Sequence, residues 1–314
     1  MSQLKTNNII HISNTGDPNI VLGDSGDVQV QSLNSGPLSG FRNQIINGDF
    51  RVWQRGDTFN MAALSNKAYT ADRWYMSSTG GTVSRASGAN PAPSGASGYA
   101  LTYSGGTTPT LRQGIEVPTN QCGPFVPNSQ WTLSWYSTSN TTGATVGFKA
   151  GDVSSQPLAG DRLLDNTTGT SIGANRYSAT FTIPGGAVPT GTTMFFVMLF
   201  MSAGDTLSGV QLEPGPVATP FEHRPIGIEL ALCQRYYQSY PDSIRLYADN
   251  TTVTHKSFYM LRPVEMRANP TEIGSSNKGT LTLSGTNTSI GFLADPVAQT
   301  AGVVVTNYTA DAEL

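Results

Sequence analysis

The chain has 314 residues, only 12% of them charged, and a formal net charge of −3. It contains no cluster of lysines and arginines dense enough to release counterions from phosphates, so nucleic acid is not an expected partner. The longest apolar run, 194–201, falls far short of the ~20 residues of a membrane helix and predicts a strand buried on both faces.

Low charge combined with abundant Gly, Ser, Thr and Asn favours short strands and many turns, and the length suits two compact units plus shorter pieces. Cys122 and Cys233 are too few for a disulfide framework. A bridge between them stays open beside two free thiols, which suit assembly inside a cell. The opening residues 1–14 have neither an apolar core nor a small-residue cleavage site, so export by the general secretory route is not expected.

Residues 1–40 carry turn signals at Gly16-Asp17-Pro18, Asp24-Ser25-Gly26 and Gly36-Pro37, and two short alternating runs, Asn19-Ile20-Val21-Leu22 and Val28-Gln29-Val30. So few apolar groups cannot fold alone, and order here would come from a partner surface or from neighbouring copies. The segment reads as an attachment arm; the plainer alternative is a disordered leader.

From 41 to 222 strand signals follow in series. Tyr99-Ala100-Leu101-Thr102-Tyr103, Trp131-Thr132-Leu133-Ser134-Trp135 and Ala179-Thr180-Phe181-Thr182-Ile183 alternate as half-buried antiparallel strands do, and 145–149, 194–201 and 207–212 add more. So many short strands without an intervening helical pattern pack best as two sheets face to face. The stretches 76–98 and 137–178, rich in Gly, Ser, Thr and Asn, read as loops suited to variable contacts.

One helix is expected after Pro225, with Ile228, Leu232 and Tyr236 on one stripe, Cys233, Tyr237 and Tyr240 beside it, and an end before Pro241. That stripe must pack on the sandwich or on the same helix of a sister subunit. Strand-like pieces at 257–261, 280–284, 289–292 and 302–306 then predict a small terminal β domain.

Three runs carry a resemblance. Ile45-Ile46-Asn47-Gly48-Asp49-Phe50-Arg51-Val52-Trp53-Gln54-Arg55-Gly56, followed by Tyr69-Thr70-Ala71-Asp72-Arg73-Trp74, resembles the opening of a module recurrent in bacteriophage tail-fibre and other virion proteins. Gly209-Val210-Gln211-Leu212-Glu213-Pro214-Gly215, Ala218-Thr219-Pro220-Phe221-Glu222-His223-Arg224-Pro225 and Glu229-Leu230-Ala231-Leu232-Cys233-Gln234-Arg235-Tyr236-Tyr237 are similar to its close. Pro263-Val264-Glu265-Met266-Arg267-Ala268-Asn269-Pro270-Thr271 is similar to the start of its small terminal domain. The Asn-Gly-Asp-Phe and Gly-Val-Gln-Leu-Glu ends also resemble the first and last strands of carbohydrate-binding jelly-roll modules.

The resemblance implies an all-β fold: a jelly-roll β-sandwich at 41–225, an N-terminal extended arm at 1–40, a linking helix at 226–241 and a small C-terminal β domain at 242–314. It implies a phage virion structural protein, a tail fibre or similar appendage. The arm would dock on other virion proteins, the chain would form a homotrimer, and the jelly roll would be shown to host-surface polysaccharide. A head-decoration or tail-collar component without receptor binding, and a free carbohydrate-binding module, are the alternatives. A depolymerase tailspike would need a repeat period that this sequence lacks.

No catalytic constellation is legible. His11, His223 and His255 stand apart from any nucleophile pattern, and the pairs Asp49/Asp72 and Glu213/Glu222 fall on framework positions of the family resembled, so no enzyme is expected. In the carbohydrate-binding modules the strand junction holds a structural calcium, which places Asp49 and Glu213 as its candidate ligands. Against that stands a cofactor-free reading in which Asp49 caps the turn after Asn47-Gly48 and Glu213 pairs with an arginine such as Arg51. A pyranose ring stacks its C–H face on aromatics, which makes Tyr75, Tyr99, Tyr103 and Tyr136 the candidate glycan contacts. Trp131, Leu133 and Trp135 share a face and belong to the core, and Trp53 and Trp74 pack beneath the sandwich.

Overall fold

The alternating segments between residues 58 and 214 form two antiparallel sheets. The computed structural model describes residues 8–9, 20–22, 28–30, 41–88, 98–138, 143–155, 157, 159–186, 188–240, 244–246, 256–277, 280–295 and 303–313. One sheet has seven strands, in the order Thr170–Gly173, Arg176–Thr182, Gln130–Ser137, Thr206–Pro214, Tyr99–Ser104, Thr82–Ser87, Thr58–Asn60. The other has six, in the order Arg162–Thr168, Gly143–Ala150, Thr192–Phe200, Thr107–Glu116, Tyr75–Thr79, Lys67–Tyr69. The chain changes sheet between Tyr75–Thr79 and Thr82–Ser87, between Tyr99–Ser104 and Thr107–Glu116, and between Thr192–Phe200 and Thr206–Pro214, the connectivity of a jelly-roll sandwich.

Between the sheets lie Leu101, Leu111, Leu133, Trp135, Val146, Phe195, Val197, Leu199 and Leu212, all fully buried. Phe125 stacks on Phe195 at 3.9 Å and closes one end. Each such side chain stabilises the fold by about 1.5–3 kcal/mol, so the sandwich carries its own core. Trp131, Leu133 and Trp135 are core residues, as their alternation requires, and so are Trp53 and Trp74.

The described residues of the stretches 76–98 and 137–178 are largely strands rather than loops. They hold the strands Thr82–Ser87, Gly143–Ala150, Arg162–Thr168, Thr170–Gly173 and the start of Arg176–Thr182. Ser, Thr and Gly fill the ladders there because the neighbouring strands supply the apolar partners.

The opening motif runs beside the last strand of the sandwich. Gln44 donates its N–H to Leu212 O at 2.9 Å, Val210 donates to Gly48 O at 2.8 Å, and the Asn43 carboxamide accepts from Leu212 N and donates to Val210 O. Asn47 folds the segment back on itself. Its Nδ2 donates to Val52 O (2.8 Å) and Asp72 O (3.0 Å), its Oδ1 accepts from Val52 N (2.9 Å), and its carbonyl accepts from the buried Trp74 indole (2.9 Å).

The helix spans Ile226–Gln234 and stops well short of Pro241, a residue outside the described set. Its inward residues are Glu229 and Cys233, not the predicted stripe: Ile228 is 39% exposed, Leu232 is half-buried and Tyr236 lies past the helix end. The cause is an ion pair, since Arg224 reaches Glu229 at 3.2 Å and Asn47 donates its N–H to the same carboxylate. A buried carboxylate needs such partners, and supplying them turned the helix. Cys122 and Cys233 are free thiols.

Tyr237–Tyr240 is a strand rather than helix and already belongs to the terminal unit, where it pairs with Val303–Asp311. Thr271–Ser276 and Ile244–Leu246 join that sheet; Lys256–Leu261, Ser289–Asp295 and Thr280–Leu283 form a second, and Phe292, Tyr308, Val305 and Met266 are buried in the unit's own apolar cluster. In the predicted arm the alternating runs are strands: Ile20–Leu22 pairs with Val28–Val30 and with Asn8–Ile9. The rest of the arm, its turn signals, His11 and His255 lie outside the described residues.

Arginines join the two units. Arg55 contacts Asp311 (3.0 Å), Glu313 (3.4 Å) and Asp72 (3.9 Å) and lies 3.6 Å over the Tyr237 ring. Arg73, 1% exposed, pairs with Glu313 and sits 3.4 Å over Tyr236. Glu116 takes Arg235 and Arg267 at 2.9 and 3.1 Å.

Burial pushes the Asp72 carboxyl up to about 6, against the pull of Arg55 and of its hydrogen bonds to Gln54. The folded protein therefore holds a proton between about pH 4 and 6 that the unfolded chain releases. The contribution of this group is full below about pH 4 and is lost as the pH rises through 6. Urea melts at pH 4 to 7 should show that fall, roughly 3 kcal/mol, disappear in Asp72→Asn. A slope unchanged in the variant contradicts the assignment.

A Cβ on Gly48 would lie 2.1 Å from Val210 O. Gly48→Ala must push the opening segment off the last strand, and a loss of about 2–4 kcal/mol in urea unfolding is the expected result.

Candidate functional site

Residues directly opposite each other in a sheet share a face, so the register fixes what the six-stranded sheet presents outward. Lys67 pairs with Ser77, Ser77 with Thr110, Thr110 with Phe200 and Phe200 with Gly143, one row across five strands. The next row is Tyr69, Tyr75, Arg112, Met198 and Thr145.

The second row is covered. Tyr75, Met198, Met194 and Phe196 form an apolar cluster closed by Val153 and by Tyr236 from beyond the helix. Arg112, 2% exposed, holds the covering loop: its guanidinium donates to the carbonyls of Val153 (3.1 Å), Ser154 (3.4 Å) and Ser155 (3.3 Å) and to Thr110 Oγ1 (3.1 Å). Burial lowers the affinity of Arg112 for its proton.

The first row stays open. It forms a groove of about 450 Å3 with Met198, Phe200, Met201 and Pro109 as an apolar floor, and Asn66, Lys67, Ser77, Thr79, Thr110 and Arg162 as polar walls. That volume lies within the ~300–1,000 Å3 of small-ligand sites, and an apolar floor with a few placed polar groups is their usual chemistry. Phe200 and Ser77 are half-buried, and Lys67 and Thr79 are exposed. Asn66 is fixed by two backbone donors: Gly80 N donates to its Oδ1 (2.9 Å) and Ser78 N to its carbonyl (3.0 Å). Arg162 is held by Asp165 at 2.5 Å. It also borders a second cavity, of about 340 Å3, lined chiefly by Cys122, Phe148, Leu163, Ile183 and Val188.

None of the sequence-selected tyrosines lines the groove. Tyr103 is a core residue, fully buried, with its hydroxyl on Gly80 O (3.2 Å), and cannot meet a ligand. Tyr75 is buried in the covered row. Tyr99 and Tyr136 are half-buried, with Arg85 4.2 Å over the first ring and Arg176 5.4 Å over the second.

Asp49 and Glu213 are held by different arginines. Asp49 takes Arg51 at 2.5 Å, while Glu213 takes Arg42 at 3.2 Å, Gln211 Nε2 at 2.8 Å and Thr219 N at 2.9 Å. Burial raises the Asp49 carboxyl above its ordinary range, and Arg51 opposes that. Glu222 accepts the N–H groups of Phe41 and Asn43. No cluster of three or more His, Cys, Asp or Glu side chains suited to a metal occurs among the described residues. The polar side chains of the opening and closing motifs are thus engaged within the framework, and the groove is built from other residues. Nothing in the sequence marked it: 194–201 reads as one continuous apolar run, and only the register separates Met198 and Phe200, on the outer face, from Val197 and Leu199 in the core.

No family model matches the chain, and no curated protein matches it. Among solved structures it is similar to the enzymatically active domain of bacteriophage CBA120 tailspike protein 4, at 17% identity and a TM-score of 0.32, over 56% of this chain and 22% of that one. It is also similar to a cyclase from Fischerella sp. TAU, at 15% identity and a TM-score of 0.33, over 55% of this chain and 96% of that one. A third likeness is to TmCBM61, solved in complex with beta-1,4-galactotriose, at 17% identity and a TM-score of 0.28, over 55% of this chain and 99% of that one. Overlaps this loose assign neither ligand nor activity.

Proposed function

We propose that the chain is a non-enzymatic virion protein of a bacteriophage, an appendage of tail-fibre type, whose jelly roll attaches to host-surface polysaccharide through the groove on its six-stranded sheet. The groove itself carries the proposal: it is open, its floor offers Phe200 to the C–H face of a sugar, and Asn66, Lys67, Ser77 and Thr79 stand where ring hydroxyls would lie. The tail-fibre assignment draws on the three motif runs, whose polar residues close the sandwich and bind the helix. Docking through residues 1–40 and assembly as a homotrimer belong to the same proposal.

A glycan array with the full chain, followed by titration calorimetry on the best glycan, tests it. Saturable binding is expected, weakened at least tenfold, about 1.4 kcal/mol, by Phe200→Ala or by filling the groove with Ser77→Trp, with each variant still folded by circular dichroism. Absence of saturable binding to any glycan contradicts the proposal. Affinity lost on Tyr99→Ala or Tyr136→Ala and kept in the groove variants moves the site to another face.

A further inference from the structure

We propose that the groove selects an acidic polysaccharide, one whose sugars carry a negative charge, over neutral glycans; this rests on reading the groove as the glycan site.

The chain is net negative, at −3, yet the groove reverses that sign. Its walls include Lys67 and Arg162 and no carboxylate among the described residues. Arg162 is already matched by Asp165, but Lys67 is exposed and makes no hydrogen bond or ion pair among the described residues. It is a free point charge at the end of the row that carries Ser77, Thr110 and Phe200.

A second cation lies behind that row. Arg112 is buried, and its partners are three backbone carbonyls and the Thr110 hydroxyl, with no carboxylate in ion-pair contact among the described residues. The carboxylate of the covering loop, Asp152, turns Oδ1 to Ser154 N at 2.7 Å. A buried charge without a counter-charge is costly, and burial already weakens the hold of Arg112 on its proton. Thr110, only 7% exposed, lies between Arg112 and the groove: its Oγ1 accepts from Arg112 and donates to Ser77 O at 3.4 Å, so it offers an anion no proton of its own, and Arg112 acts on the groove through its charge alone. An anion seated over Thr110 and beside Lys67 would meet both positive charges, Lys67 from the rim and Arg112 from within the sheet, where less solvent intervenes and Coulomb attraction exceeds its value in bulk water.

Calorimetry on the full chain with matched pairs tests this: oligogalacturonate, oligomannuronate and oligosialate, each beside its methyl ester, at 50 and 300 mM NaCl. For every pair that binds, the acid should bind at least tenfold tighter at low salt, with the ratio shrinking at high salt. Lys67→Met should weaken the acid about fivefold more than the ester, and Lys67→Glu should abolish the preference. Equal affinity for acid and ester, a preference that survives Lys67→Glu, or an array on which only neutral glycans bind overturns the inference and leaves the groove as a glycan site. No binding to any glycan overturns both.

Discussion

A buried polar group must find a partner, and most of this architecture follows from how the chain meets that demand around Asn47. Its carboxamide ties Val52 and Asp72, and its carbonyl receives the Trp74 indole, so the opening motif becomes a closed loop beneath the sandwich. Its N–H then meets Glu229, which Arg224 neutralises, and that pair fixes which side of the helix points inward. With the helix set, Tyr236 and Tyr237 fall under Arg73 and Arg55, and the same arginines reach Asp311, which ends the last strand beside Tyr237, and Glu313 just past it.

The groove is a remainder of that arrangement. Tyr236 and the loop held by Arg112 cover one part of the outer face of the six-stranded sheet, and the row from Lys67 to Phe200 is the part left open. Framework and surface therefore divide the polar residues between them. Asn47, Asp49, Asp72, Glu213 and Glu229 of the motifs are buried, while Lys67, Ser77 and Thr79 of the outer row are open.

The sandwich was legible because alternation speaks directly about faces: Trp131, Leu133 and Trp135 could only share the core. Strands built from Thr, Ser and Gly, such as Thr82–Ser87 and Thr170–Gly173, escaped notice because they bring few apolar side chains of their own. The helix misled for a physical reason. Ile228 and Leu232 form an apolar stripe, yet pairing Glu229 with Arg224 takes the inward side and leaves Ile228 out. Tyr103 and Tyr75 were chosen for their chemistry without knowledge of depth, and both are buried. The groove could not be read at all, since Lys67, Ser77, Thr110 and Phe200 are neighbours only through the register of strands far apart in sequence.

The central claim is that the motif residues build the framework and the outer row of the six-stranded sheet meets the ligand. Hydrogen–deuterium exchange with and without a saturating bound glycan separates the two directly. Slowed exchange confined to peptides covering 66–79, 108–112 and 198–202, with 43–55 and 209–229 unchanged, is the predicted pattern. Protection centred on 43–55 and 209–229, with the outer row unaffected, would contradict it.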